Sequence, residues 1–112
     1  MAARTELDDV ERAICEAIWD QRVIAFTLKG CPRIAEPHDF GLIKGQRRLF
    51  FYQVGGESRS GRPRGWRWAT PAEMLTLRVL DRRFPGPRAA PSGRRQPWDR
   101  LIASVSRPTL VR

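Results

Sequence analysis

Hydrophobic residues recur at two spacings along the chain, one typical of a helix and one typical of strands. Between residues 5 and 21 they recur every three or four positions, which predicts an amphipathic helix. The stripe consists of Leu7, Val10, Ile14, Ala17 and Ile18. Thr5 is the predicted N-cap, and the acidic residues after it suit the positive end of the helix dipole. We therefore expect the chain to open with one helix.

From residue 22 onward, apolar residues fall in short runs that predict strands separated by turns. The predicted strands span residues 22–29, 33–37, 40–43, 47–54, 65–70, 75–81 and 100–107. Residues 29–32 and 44–46 read as turns, and residues 71–74 read as a single helical turn. Pro37 is expected to end its strand, because proline cannot donate to a central ladder.

Alternation within these strands predicts which side chains share a face. One face of the strand 47–54 carries Leu49, Phe51 and Gln53, and the other carries Phe50, Tyr52 and Val54. Both faces are largely apolar, so we expect both to be covered. In the strand 65–70, Trp66 and Trp68 lie opposite Arg67. The strand 75–81 is predicted to point Leu75, Leu77 and Val79 inward.

Together the elements predict an α+β fold, mainly β, with an N-terminal helix followed by a small β-barrel of five or six strands. Closing a barrel removes exposed strand edges. The length of 112 residues suits one domain with one modest core. Residues 22–81 supply the barrel strands. Residues 82–98, rich in proline and arginine, are expected to form an irregular connector before the final strand.

Charge is distributed unevenly along the sequence. The net charge is −4 over residues 1–20, +3 over residues 21–57 and +10 over residues 58–112, giving +9 in all. The last region contains arginine and no lysine. Arginine offers a planar fork to phosphate and stacks on aromatic rings, so a polyanionic partner is one interpretation. A high-GC genome combined with a solvated surface is the other, and charge alone does not separate them.

Several classes of protein are disfavoured by what the sequence lacks. No apolar run approaches the roughly 18 residues that a membrane helix needs. The charged N-terminus has no signal-peptide core, so we expect a cytoplasmic protein. Cys15 and Cys31 are then expected to be reduced thiols. One histidine and two distant cysteines argue against a zinc site, and no cofactor is predicted.

Four segments carry a family resemblance through their order and spacing. They are RIAEPH at residues 33–38, LFFYQVGG at 49–56, GWRW at 65–68 and LTLRVLDRRF at 75–84. With AIWDQRVIAF from the end of the helix, they resemble the WYL domain family of bacterial proteins, in a short stand-alone version, over residues 7–86. The family's Trp-Tyr-Leu triplet is absent, and LFFY stands in its place.

The resemblance implies an SH3-like β-barrel preceded by a helix. WYL domains are commonly the sensor part of bacterial transcription regulators, where they lie beside a helix-turn-helix and bind a ligand, nucleic acid in some members. Arg33 and Arg67 match basic positions of the family's ligand-binding surface, and Tyr52 lies in the segment that matches its Trp-Tyr-Leu strand. Too few residues precede the first strand for a helix-turn-helix, which leaves a sensor, an accessory subunit or a remnant domain open.

The candidate ligand site combines cations with aromatic rings. We expect Arg33 and Arg67 on neighbouring strands, where two guanidinium groups would hold one phosphate or carboxylate. The alternative is that each pairs with Glu36, Glu57 or Glu73. Tyr52 and Trp66 are the candidates for stacking on bases. The alternative for all the rings is a place in the core, which we expect for the phenylalanines.

Polar residues near these positions complete the candidate site, namely His38, Gln53, Ser58 and Arg59. The loop at residues 55–64 offers hydroxyls and amides to an anion, but it lacks the GK[ST] ending of a P-loop, so nucleotide hydrolysis is not predicted. His38 is expected to cap a turn, because no partner at a recognised spacing would make it a general base. Residues 82–95 read either as a basic arm for nucleic acid or as a solvated connector.

We therefore expect a non-enzymatic domain that binds an anionic ligand, either single-stranded nucleic acid or a nucleotide. No catalytic or metal-binding residue is predicted. The alternative is a protein-interaction module or accessory subunit of a bacterial transcription regulator, docking through the acidic helix or an aromatic sheet face. A homodimer is also open. An enzyme would need His38 or a cysteine in a pocket beside paired acids.

Overall fold

The computed structural model describes residues 6–58, 61, 64–89 and 98–105, and shows one helix followed by an antiparallel sheet. In chain order the elements are α1 (Asp9–Trp19), β1 (Arg22–Leu28), β2 (Cys31–Ile43), β3 (Gln46–Gly56), β4 (Gly65–Ala69), a 3₁₀ turn (Pro71–Glu73), β5 (Leu75–Arg83) and β6 (Arg100–Ser104). The predicted mainly β fold with an N-terminal helix is confirmed. Among the described residues, no helix is long and apolar enough to cross a membrane.

The helix begins later than predicted because Asp8 provides its N-cap. The Asp8 carboxylate accepts the Glu11 backbone N–H at 2.8 Å, and the Glu11 carboxylate accepts the Asp8 N–H at 3.1 Å. This reciprocal capping box satisfies two backbone donors at the start of the helix. The predicted cap, Thr5, lies outside the described residues. The apolar stripe is confirmed at Ile14 and Ile18, which are fully buried.

The strand order in the sheet is β4-β3-β2-β1-β5, and β6 pairs with the second half of β2. Two lysine–glycine turns set the register of the central hairpins. Lys29 and Gly30 have φ of 52° and 77°, and Lys44 and Gly45 have φ of 51° and 77°. Positive φ at both central residues matches the right-handed twist of the flanking strands. No ladder joins β4 to β5 within the described ranges, so the sheet there is open.

The strand β2 runs unbroken for 13 residues, where the sequence predicted two short strands separated at Pro37. That prediction is wrong, and the reason lies in the neighbours of β2. The ladder to β1 ends at Ala35, and the ladder to β6 begins at Asp39. Among the described strands, β3 alone pairs with β2 at Pro37, and that ladder is itself irregular between Pro37 and Asp39. A residue without an N–H is tolerated at such a place.

The hydrophobic core lies between α1 and one face of the sheet. Its largest fully buried apolar side chains are Phe40, Phe51, Ile14, Ile18, Ile24 and Leu49. Phe26 packs edge-on against Phe51, with ring centroids 5.4 Å apart. Leu49 and Phe51 share the core face of β3, which confirms the alternation predicted for that strand.

The edge strand β5 departs from its predicted inward pattern. Leu75 is 58% exposed and Val79 is 42% exposed, while Leu77 packs against the core. The ladder to β1 shifts register between Ala25 and Thr27, opposite Thr76, whose φ is +54°. A bulge of this kind breaks the alternation, and an edge strand has a neighbour on one side only.

Candidate nucleic-acid interface

The sheet face opposite the core carries a continuous row of aromatic rings. We call this the aromatic row, and its members in order are Tyr52, Trp66, Phe50, Trp68 and Trp98. Successive ring centroids lie 5.4, 4.5, 4.6 and 5.6 Å apart. Such separations are typical of favourable aromatic pairs. Phe50 is buried, while the other four rings are half-buried and reach solvent in part.

Strand register explains why these rings meet. In the ladder between β3 and β4, Phe50 lies opposite Trp68, and Tyr52 lies opposite Trp66. Side chains directly opposite each other on one sheet face are the closest cross-strand neighbours. Arg67 lies opposite Phe51 and therefore on the core side. The predicted separation of the two tryptophans from Arg67 is confirmed.

A guanidinium group lies over a ring towards each end of the aromatic row. The Arg88 guanidinium carbon is 4.1 Å from the centroid of Tyr52. The Arg48 guanidinium carbon is 5.4 Å from the centroid of Trp68. Both distances fall within the range of cation–π attraction, so the row holds positive charge next to ring faces.

Arg88 is fixed in place by a buried carboxylate on β2. Its Nε and Nη2 donate to the two oxygens of Glu36 at 2.6 and 3.1 Å. Glu36 is only 4% exposed, whereas the Arg88 side chain is 42% exposed. These bonds raise the pKa of Arg88 above its ordinary value. The sequence left open that Arg33 or Arg67 pairs with Glu36. The structure shows that Glu36 pairs with Arg88 instead.

His38 lies beneath this ion pair and is almost fully buried. Its Nε2 accepts the Arg88 backbone N–H at 3.1 Å, so the proton belongs on Nδ1, which lies 2.9 Å from the carbonyl oxygen of Glu36. The ring also contacts Trp66 edge-on at 4.8 Å and stacks on Phe84 at 5.4 Å. Burial lowers the pKa of His38, although Glu36 and Asp39 act against this. The neutral ring supports the aromatic row from below and holds Arg88 in place.

Arg33 lies on the core side of the sheet and is 5% exposed. It donates to the Gln53 side-chain oxygen and to the carbonyl oxygen of Leu28, both at 3.2 Å. Gln53 in turn donates to the carbonyl oxygens of Gly55 and Glu57 at 2.9 and 3.0 Å. This network fixes the end of β3 against β1 and β2. Arg33 and Gln53, both predicted to bind ligand, thus contact each other on the core side, and their binding role stays a prediction.

Arg67 also lies away from the aromatic row. Its Nη2 donates to the hydroxyl of Ser58 at 3.4 Å, on the loop that follows β3. The expectation that Arg33 and Arg67 lie on neighbouring strands is wrong, because β3 separates β2 from β4. Burial lowers the pKa of Arg33, and the nearby positive charge of Arg67 lowers it further. The interaction with Cys31 acts in the opposite direction and raises this pKa. Arg59 lies outside the described residues.

The predicted site residues therefore divide into two groups. Tyr52 and Trp66, the predicted stacking residues, lie on the outer face together with His38. Arg33, Gln53, Arg67 and Ser58 lie on the core side, near the loop end of β3. One surface carrying Arg33, Tyr52 and Arg67 together is not what the structure shows, because alternation sends Tyr52 to the opposite face.

Sequence reasoning missed Arg88 and Arg48, the two cations of the aromatic row. Arg88 lies in a segment whose composition predicted a connector or a basic arm, and its partner Glu36 is 52 positions away. Arg48 offered a weak signal, since it shares its strand parity with Phe50 and Tyr52. Trp98 joins the row only through the tertiary fold.

The cysteines lie apart from this face. Cys15 is fully buried in the core, and burial together with Glu11 and Glu16 raises the pKa of its thiol to about 11. Cys31 is half-buried at the start of β2, and neither cysteine forms a disulfide. Within the ranges that the structure describes, no three His, Cys, Asp or Glu side chains group as metal ligands would.

Comparison of the chain with models of protein families, with curated proteins and with solved structures finds no match. The resemblance to the WYL family therefore stays a prediction from the sequence.

Proposed function

We propose that this chain is a non-enzymatic, WYL-like binding domain that holds single-stranded nucleic acid or a nucleotide on its aromatic row. The observation that carries the proposal is a row of half-buried rings on the non-core face, with Arg48 and Arg88 over two of them. Stacking of a base on an aromatic side chain contributes about 1–3 kcal/mol and tolerates any base. Arginine beside a stacked base is placed to meet the phosphate.

Charge supports the same ligand class. The chain carries a formal net charge of +9, which attracts polyanions at long range. Arg48 makes no ion pair within the described part of the chain, and the Arg88 side chain is partly exposed although it is paired. Phosphates would therefore meet two guanidinium groups that already lie against the rings. Arg33 and Arg67 belong to this proposal only as structural support for the loop end of β3.

The SH3-like barrel is part of the proposal. What supports it is the strand order, with a four-strand meander from β1 to β4 and β5 returning to the other edge of β1. The 3₁₀ turn at Pro71–Glu73 lies between β4 and β5, where a closing barrel needs a short connection. Small barrels that expose aromatic rings on one face are a recurring platform for single strands.

Tryptophan fluorescence provides the experiment that tests the proposal. Oligo-dT is titrated into the wild-type chain and into the variants Trp66→Leu and Trp19→Leu at several salt concentrations. Trp19 is the matched control, since it is 60% exposed at the end of α1 and outside the aromatic row. We expect quenching and salt-dependent binding in the wild type, with affinity reduced about tenfold in Trp66→Leu and unchanged in Trp19→Leu.

The charge contribution is tested with Arg48→Gln against the control Arg12→Gln on α1. Losing one phosphate contact should reduce the slope of log affinity against log salt by about one in Arg48→Gln alone. The proposed function is overturned if wild-type binding is absent at low salt or shows no salt slope. It is equally overturned if both tryptophan variants bind like the wild type.

A second candidate function, a protein-interaction module, is favoured by the exposed apolar side chains of the edge strand β5. Leu75 and Val79 are both exposed there, and β1 is the one strand that pairs with β5 in the described part of the chain. Exposed strand edges are templates for pairing with another chain. A regulator recovered by pull-down with the wild type and lost with Val79→Lys, in a chain that binds no oligonucleotide, would establish this alternative.

A further inference from the structure

A groove of about 330 Å³ lies on the sheet around the junction of β5, β1 and β2, outside the aromatic row. Its apolar lining includes Ala25, Ile34 and Leu80. Ala25 lies opposite Ile34 in one ladder and opposite Arg78 in the other, so these three side chains share one face. A volume of this size lies at the lower end of the range for small-molecule sites.

An unusual backbone conformation lies at one side of this groove. Thr76 lines it with a φ of +54°, in the left-handed region that a β-branched residue rarely adopts. The bulge occurs where the ladder between β1 and β5 shifts register, between Ala25 and Thr27. Bulges and strained residues concentrate where a chain shapes a binding site. Regular pairing between β1 and β5 is thus interrupted where the groove opens.

The charges lining the groove are all positive. Of the residues that the structure describes, the lining includes Arg33 and Arg78 and no aspartate or glutamate. Arg33 directs its guanidinium to Gln53 and to the carbonyl oxygen of Leu28. Arg78 is exposed, and no ion pair or side-chain hydrogen bond joins it to any other residue that the structure describes. Arg78 is therefore the cation available to a ligand in the groove.

From this combination we infer a second binding site, which takes a small organic carboxylate with a compact apolar body. The carboxylate meets the guanidinium of Arg78 and the hydroxyls of Thr27 and Thr76, while the apolar body covers Ala25, Ile34 and Leu80. A planar guanidinium matches a carboxylate with two parallel hydrogen bonds. The site is independent of the aromatic row, so its existence does not depend on nucleic-acid binding.

The test is a titration of the ¹⁵N-labelled full chain, followed by NMR, with benzoate as the charged probe and benzamide as its neutral match. We expect benzoate to cause saturable shifts at the amides of Thr27, Thr76 and Arg78. Benzamide should bind at least about tenfold more weakly, because a charge-assisted hydrogen bond is lost. Inorganic phosphate, which lacks the apolar body, should also bind more weakly than benzoate.

Two variants locate the charge. Arg78→Gln should weaken benzoate binding about tenfold. Arg82→Gln, at an exposed position of the same strand outside the groove, should leave it unchanged. The inference is overturned if benzoate gives no saturable shifts at the groove, if benzamide binds as tightly as benzoate, or if the two variants behave alike. Phosphate binding as tight as that of benzoate would overturn the apolar part of the site.

Discussion

Aromatic side chains on the two faces of β3 differ in burial and in the residues they contact. On the core face, Phe51 is completely buried and packs edge-on against Phe26 beneath α1. On the outer face, Tyr52 is half-buried and contacts Trp66 and the guanidinium of Arg88. Phe51 and Tyr52, although adjacent in one strand, thus lie in a closed core and on a partly exposed surface. Ring content alone therefore does not distinguish the two faces, whereas partly exposed cations beside the rings mark the outer face, where we propose that a ligand binds.

Charged groups differ between the faces in the same way. On the core side, Arg33 donates from Nη1 and Nη2 to neutral oxygens of Gln53 and Leu28, while its buried Nε has no hydrogen-bond partner among the described residues. On the outer side, Arg88 has a carboxylate partner in Glu36 and remains partly exposed. A buried cation with fixed neutral partners stabilises local structure, while a partly exposed cation can exchange contacts with a ligand. For this reason we propose that the ligand binds on the outer face.

The largest expected difference between the faces concerns stability. Phe51→Ala should lower the free energy of unfolding by about 3–5 kcal/mol, because it removes a fully buried ring and leaves a cavity. Tyr52→Ala, one position away, should cost less than about 2 kcal/mol because its ring already reaches solvent. Urea denaturation of the two variants measures both values. Equal losses would show that the outer face is as tightly packed as the core face.

A smaller loss is expected from Arg88→Met, which leaves the buried Glu36 carboxylate without its partner. Breaking a buried ion pair costs about 3–5 kcal/mol, and partial exposure of Arg88 should reduce this to about 2 kcal/mol. The matched control is Arg12→Met, whose partner Asp9 is fully exposed, with an expected change within about 0.5 kcal/mol. Urea denaturation at low salt should separate the two variants. Similar losses in both would mean that Glu36 is solvated and that Arg88 is not anchored.

The smallest effect is a pH dependence from His38, the only histidine in the chain. Burial lowers its pKa in the folded state, so the unfolded chain binds more protons between the two pKa values. The free energy of unfolding should be constant above an unfolded-state value of about 6.5 and decrease as the pH falls below it. The slope should not exceed about 1.4 kcal/mol per pH unit.

Urea titrations between pH 5 and pH 7 measure this slope, with His38→Gln as the reference that removes it. Glu36, Asp39 and Arg88 face the ring and are unchanged in that variant. Stability that rises as the pH falls through this range would contradict a neutral, buried His38. A slope that survives in His38→Gln would assign the pH dependence to other groups.

The sequence predicted the fold where signals are local. The α1 stripe, the two lysine–glycine turns and the alternation in β3 and β4 were all found as expected. Predictions were wrong where pairing with neighbouring strands determines the structure. Pro37 is tolerated inside β2 because of the gap between two ladders, and Leu75 is exposed because β5 is an edge strand with a bulge.

In the candidate site, too, local features were predicted correctly and features set by tertiary contacts were not. Tyr52 and Trp66 were predicted to stack on bases and His38 to cap a turn, and the structure brings the three rings together. Arg33 was predicted to bind ligand from the family resemblance, which did not indicate that its side chain lies on the core side against Gln53. No periodicity in the sequence reports whether a long side chain will point to solvent or cover a strand end.

By itself, the sequence determined the helix, the strands other than β2, the tight turns and the assignment of Phe51 and Tyr52 to opposite faces, because these depend on spacing and backbone preference. Only the tertiary structure decided that Arg88 pairs with Glu36 across 52 positions and that Trp98 extends the aromatic row. Contacts between distant segments depend on register and on packing of the whole sheet. Their free energies come from burial and charge pairing that no local window of sequence contains.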